Sequence, residues 1–120
     1  MDHKVWYDQE DEIIHLEFTR DYLTTDVPFI HKKLMEFGEG KRYKQMVIQI
    51  SKTNKVENRE TRELSNQSLR DAQITDVAFI GGSAANRMIA KVLLKTGNLK
   101  TNGNFFKTVE EGINWLKSKR

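Results

Sequence analysis

The residues best suited to holding an anion stand at Gly81-Gly82-Ser83, with Arg87, Lys91 and Lys95 following at four-residue intervals. A glycine turn leading from a strand into a helix leaves backbone donors free at the positive helix end, where a phosphate or carboxylate is stabilised. The spacing puts the three cations on one helical face, opposite Met88 and Val92. The turn lacks both the Gly-Lys-Ser/Thr close of a phosphate-binding loop and the third glycine of the dinucleotide fingerprint. Two readings therefore stay open: an anion or partner site, or a tight turn with Ser83 as a plain N-cap and a solvated basic face beside it. No aromatic residue interrupts the stripe, so base stacking is not indicated and there is no specific nucleic-acid signal.

Other chemistry finds little support. His3, His15 and His31 are scattered without a partner at ligand spacing, so no metal site is expected, and His15 reads as a packed or hydrogen-bonded structural residue. No serine occupies a nucleophile elbow and no acid/base pair marks a strand end, so catalytic residues and a cofactor are not expected. A central strand ending in Ile50-Ser51 rather than an aspartate argues against a phosphoacceptor receiver.

The elements that must position these residues follow from periodicity. Val5-Trp6-Tyr7, the acidic turn from Asp8 to Glu12, and Ile13 to Phe18 read as an N-terminal hairpin. Its second strand sets an apolar face of Ile14, Leu16 and Phe18 against a mixed face of Ile13, His15 and Glu17. Thr24, Thr25 and Asp26 offer N-cap oxygens to a helix over about 26–36 that carries Phe29, Ile30, Leu34 and Phe37 and ends at Gly38 or Gly40. Met46 to Ile50 is the nearly continuous apolar run of a central, parallel strand. A polar helix follows over 56–73, with Leu64, Leu69 and Ala72 as its apolar contacts and Asn54 with Glu57 as a capping-box variant. Val77 to Ile80 is a second buried strand, and Ser83 opens the next helix. Phe105-Phe106 is a last short strand, and Thr108 with Glu111 is a capping box opening a helix that buries Ile113, Trp115 and Leu116. The order ββαβαβαβα predicts an α/β fold in one domain over residues 1–120, with about five strands in a mixed, mostly parallel sheet.

The length of 120 residues suits one core, and 38% hydrophobic with 31% charged residues is an ordinary globular balance. The chain has no cysteine, which excludes disulfides and thiolate metal sites and favours a cytoplasmic location. No apolar run reaches the length of a transmembrane segment or signal core. The net charge of +3 is unevenly spread, since acids dominate up to Asp26 and none occurs between Val77 and Val109.

Three segments, MVIQISKTNKVENRETREL, VAFIGGSAANRMIAKVLL and FFKTVEEGINWLK, carry a resemblance to the STAS-like family over nearly the whole chain. That fold is shared by bacterial anti-sigma-factor antagonists and the cytoplasmic domains of sulfate transporters, and the chain looks closest to stand-alone bacterial members without assigned activity. In the antagonists, a serine at a helix N-terminus in an Asp-x-Ser-like turn is phosphorylated by a partner kinase. The matching stretch here places Asn58 and Arg59 at the acceptor positions after Glu57, with Thr61 and Ser51 as the nearest hydroxyls. The resemblance therefore implies a non-enzymatic regulatory or protein-interaction module without the kinase switch, which binds its partner through the sheet edge or through the surface of Glu57, Asn58, Arg59 and Thr61. The wider fold also resembles lipid-carrier domains, so a small apolar ligand or lipid is the alternative. The partner candidates are a protein of unknown identity, a second copy of the chain, and an anionic ligand or lipid.

Overall fold

The opening hairpin is closed by one side chain. In the computed structural model, which describes residues 3–50, 58–81 and 101–120, β1 (Lys4–Asp8) runs antiparallel to β2 (Ile13–Glu17). Between them Asp8 Oδ1 accepts from the backbone N–H of Glu10 at 2.9 Å and of Asp11 at 3.4 Å, and Glu12 takes a left-handed φ of 57°. The expected helix opening at Ser83 lies outside the described residues.

β3 (Gln45–Ile50), β4 (Asp76–Gly81) and β5 (Asn102–Phe106) join β2 in parallel, giving a five-stranded sheet in the order β1-β2-β3-β4-β5. The fold is α/β with a mixed sheet, as the sequence predicts. Side chains on a strand alternate between faces, so each buried strand needs cover on both sides. One face carries Ile14, Leu16, Met46, Ile48, Val77 and Phe79 and is packed by α1 (Val27–Gly38) and α2 (Arg59–Asp71). The other carries Ile13, Val47, Ala78 and Ile80 and is packed by α3 (Val109–Ser118) through the fully buried Leu116. A Cβ on Gly112 would lie 2.9 Å from Ile80 Cδ1 and 3.0 Å from Ala78 Cβ, so glycine is what lets α3 approach β4 this closely. The Thr108 hydroxyl accepts from Glu111 N at 3.2 Å, confirming the expected cap.

Several burial expectations change. Leu64 and Phe29 are exposed rather than packed, at 40% and 43%, and Ile50, Ile113 and Trp115 are half-buried. α2 buries little apolar surface and is held instead by a hydroxyl row at i, i+4 and i+7: Thr61 to Thr24, Ser65 to Tyr22, and Ser68 to His31. Mixed burial also extends to β2, where His15 is as buried as its apolar neighbours and neither of its ring nitrogens is hydrogen-bonded.

Candidate functional site

Parallel strands deliver their carboxyl ends to one edge of a sheet, and in open α/β sheets that edge is where ligands and partners meet the fold. Here it collects the exit of β2, the starts of α1 and α2, and the exit of β4. The sheet order never reverses, so the described strands form no topological switch point.

At the β2 exit the Arg20 guanidinium grips Asp26 with both nitrogens at 2.8 Å. Asp26 Oδ2 also accepts from Leu23 N at 2.9 Å and meets His3 Nε2 at 3.1 Å. Because His3 Nδ1 accepts the backbone N–H of Thr19 at 3.2 Å, its proton sits on Nε2 and is donated to Asp26. Asp26 is 4% exposed, and the Arg20 hydrogen bond, outweighing desolvation, holds its carboxyl at about 2. Asp26 thus departs from its expected role: it stands at the N-cap position of α1 but makes no cap bond into the helix, bonding back to Leu23 in the preceding 3-10 turn (Thr24–Asp26) instead.

Beside this clasp Phe18, Tyr22 and His3 pack ring to ring, with centroids 4.8 Å apart for Phe18 and Tyr22 and 5.1 Å for His3 and Phe18. Burial pushes the Tyr22 phenol up to about 12, against the opposing hydrogen bond donated by the Ser65 hydroxyl at 3.0 Å. The phenol therefore works as a neutral acceptor.

The start of α2, with Asn58 and Arg59, lies next to these groups. Asn58 is the N-cap of α2, in place of the Asn54 and Glu57 arrangement expected from the sequence. Its side-chain oxygen accepts from Thr61 N at 2.9 Å and from the Thr61 hydroxyl at 3.1 Å. Thr61 is fully buried and shares a further hydrogen bond with Thr24. Arg59 points outward and pairs with Glu63 at 3.0 Å. Ser51, Asn54 and Glu57 lie outside the described residues.

Of the glycine-turn residues, Gly81 is described. Its φ is +81° and a Cβ there would fall 2.4 Å from Ile50 O, so any side chain would collide with the adjacent strand. Gly82, Ser83, Arg87, Lys91 and Lys95 lie outside the described residues. The register pairs Ile50 with Gly81, which brings the start of the glycine turn alongside the β3 exit that leads toward α2.

Sequence reasoning missed the clasp of His3, Arg20 and Asp26. Its one visible signal was a charged pair, Arg20 and Asp26, flanking a short loop between a strand and a helix.

A family model described as a domain of unknown function (DUF7793) matches residues 6–120, and the chain belongs to that family. No curated protein and no solved structure matches the chain.

Proposed function

With a family of unknown function as the starting point, we propose that this domain is a non-enzymatic protein-interaction module of STAS-like type, docking its partner at the carboxyl edge around the start of α2. The observation that carries this reading is the internal use of the edge's chemistry. Asp26 bonds His3 and Arg20, Tyr22 bonds Ser65, and Thr61 bonds Thr24 and Asn58, which ties the starts of α1 and α2 together and leaves Arg59 presented at the rim. The parallel strand order and the helix start at the matching position support the STAS-like part of the reading.

Docking of this kind is constitutive. The acceptor positions are Asn58 and Arg59, and the neighbouring Thr61 hydroxyl is buried under Thr24. Affinity capture from the native host tests the reading: Arg59→Glu is expected to lose the captured partner while its melting temperature stays within about 1 °C of the parent, as for an exposed substitution. Equal capture by both proteins contradicts it, as does stoichiometric phosphate on Thr61 or Ser51.

A second reading, a small apolar ligand, has one observation in its favour: an open groove of about 740 Å³ between the ends of α1 and α2, lined in part by Leu34 and Met35. Lys32, Glu36, Lys44 and Asp71 also line it, which favours water over a lipid tail. Native mass spectrometry of freshly purified protein separates the two readings, since a retained small molecule supports the second.

A further inference from the structure

β1 is the first strand in the sheet order, so one row of its backbone N–H and C=O groups faces away from β2. Such edges are usually blunted by proline, a bulge, a short strand or charged side chains, lysine above all. Lys4-Val5-Trp6-Tyr7-Asp8 has no proline and no break in its five-residue ladder, and its two charges, Lys4 and Asp8, are of opposite sign at its two ends. The opposite end strand, β5, reads Asn102-Gly103-Asn104-Phe105-Phe106, and three of its five residues are poor strand formers.

We propose that the β1 edge pairs with the β1 edge of a second copy of this chain, antiparallel about a twofold axis through Trp6. The inference goes beyond the proposed docking at the carboxyl edge and does not depend on it. In that register Lys4 of each copy stands across from Asp8 of the other, Val5 across from Tyr7, and Trp6 across from Trp6. The strand is therefore complementary to itself in charge. A parallel, in-register pairing would instead set Lys4 against Lys4 and Asp8 against Asp8, which is destabilising. Asp8 uses Oδ1 for its turn, so Oδ2 is available to the lysine.

The side chains flanking the edge fit the same mate. A twofold axis perpendicular to the sheet keeps each face on its own side, so α1 meets α1 and Trp6 meets Trp6. Both surfaces carry exposed apolar groups: Trp6 is 38% exposed and Phe29 43%. Phe29 belongs to the column Phe29, Lys33, Phe37 on α1, in which Lys33 Nζ lies over both rings and Phe37 meets Tyr7 of β1 at 6.4 Å. Isologous pairing also closes at two copies, whereas β1 joined to β5 would propagate without end.

The chain has no cysteine, so a single introduced thiol reports the register. Sedimentation equilibrium of the parent protein is expected to show a monomer–dimer equilibrium. Lys4→Glu, which turns two attractive cross-strand pairs into two repulsive ones, is expected to raise the dimer dissociation constant about tenfold. Under mild oxidation Trp6→Cys is expected to link into dimers at least tenfold faster than Leu64→Cys on the exposed side of α2, with far-ultraviolet circular dichroism confirming that both are folded. A parent that stays monomeric at every concentration overturns the proposal. So does a dimer that Lys4→Glu leaves unchanged, or one in which position 6 links no faster than position 64.

Discussion

His3 and His15 are equally buried, each 5% exposed, yet the two regions that hold them treat the imidazole in opposite ways. At the carboxyl edge both ring nitrogens of His3 are engaged, one by Thr19 N and one by Asp26. On the far face of the hairpin neither ring nitrogen of His15 has a partner, and the ring is stacked under Trp6 at 4.9 Å with an interplanar angle of 5°. A polar group survives burial either by satisfying its hydrogen bonds or by staying neutral and packing as a flat apolar plate. The first solution ties together parts of the chain distant in sequence. The second costs stability and makes the region sensitive to protons.

The largest expected effect breaks the satisfied side of that contrast. Asp26→Ala leaves the Arg20 guanidinium, His3 Nε2 and Leu23 N without their shared acceptor, and is expected to lower unfolding free energy by about 3 kcal/mol in chemical denaturation. Acid should act in the same direction. The folded carboxyl is held at about 2 against an ordinary 3.8, so the clasp contributes fully above pH 4 and is lost as pH falls from 3.8 toward 2. A variant as stable as the parent would mean that the clasp is incidental.

The next prediction concerns His15. Burial lowers its pKa below the ordinary 6.5, and the opposing pull of Asp8 and then Asp11 is smaller. Lys4 and Glu17 share its sheet face by register, and Lys117 of α3 is tied to Asp11 at 2.7 Å. The unfolded chain therefore takes up a proton near pH 6.5 that the folded chain refuses. Stability contributed by the neutral ring is fully present above that pH and falls below it by up to about 1.4 kcal/mol per pH unit. His15→Phe keeps the stack on Trp6 and should remove that part of the slope. Parallel denaturation curves at pH 8.0 and 5.5 check this as the difference between parent and variant.

Thr61→Val is the smallest of the three, at about 1 kcal/mol, because it removes a hydroxyl between Thr24 and Asn58 but leaves Thr61 N on Asn58. Thermal melts resolve it, and a neutral result would move the hold on α2 from its hydroxyl row to Leu69 and Ala72.

Periodicity made the strands legible. The continuous run from Met46 to Ile50 and the alternation in Ile13 to Glu17 fix a mixed sheet because apolar spacing is a local property. The Thr108 cap was readable for the same reason. The clasp was not, since His3 and Asp26 are 23 positions apart and only the closed hairpin brings them together. Asp26 misleads in a different way: an aspartate before a helix usually caps it, and here the backward bond to Leu23 competes successfully. Helical spacing placed Phe29 and Leu64 on apolar stripes without saying which side a neighbour would cover. The cap of α2 was not legible because Asn58 takes that place through Thr61, from whose backbone N–H and buried hydroxyl it accepts.

Nitrogen-15 chemical shifts of the imidazole rings, followed from pH 8 to pH 5, test the contrast most directly. The account predicts that His15 takes up its proton only below 6.5 while the sheet remains folded, and that His3 near pH 8 shows the tautomer protonated at Nε2. A His15 that takes up its proton at 6.5 in the folded protein, or a His3 protonated at Nδ1 alone, would contradict it.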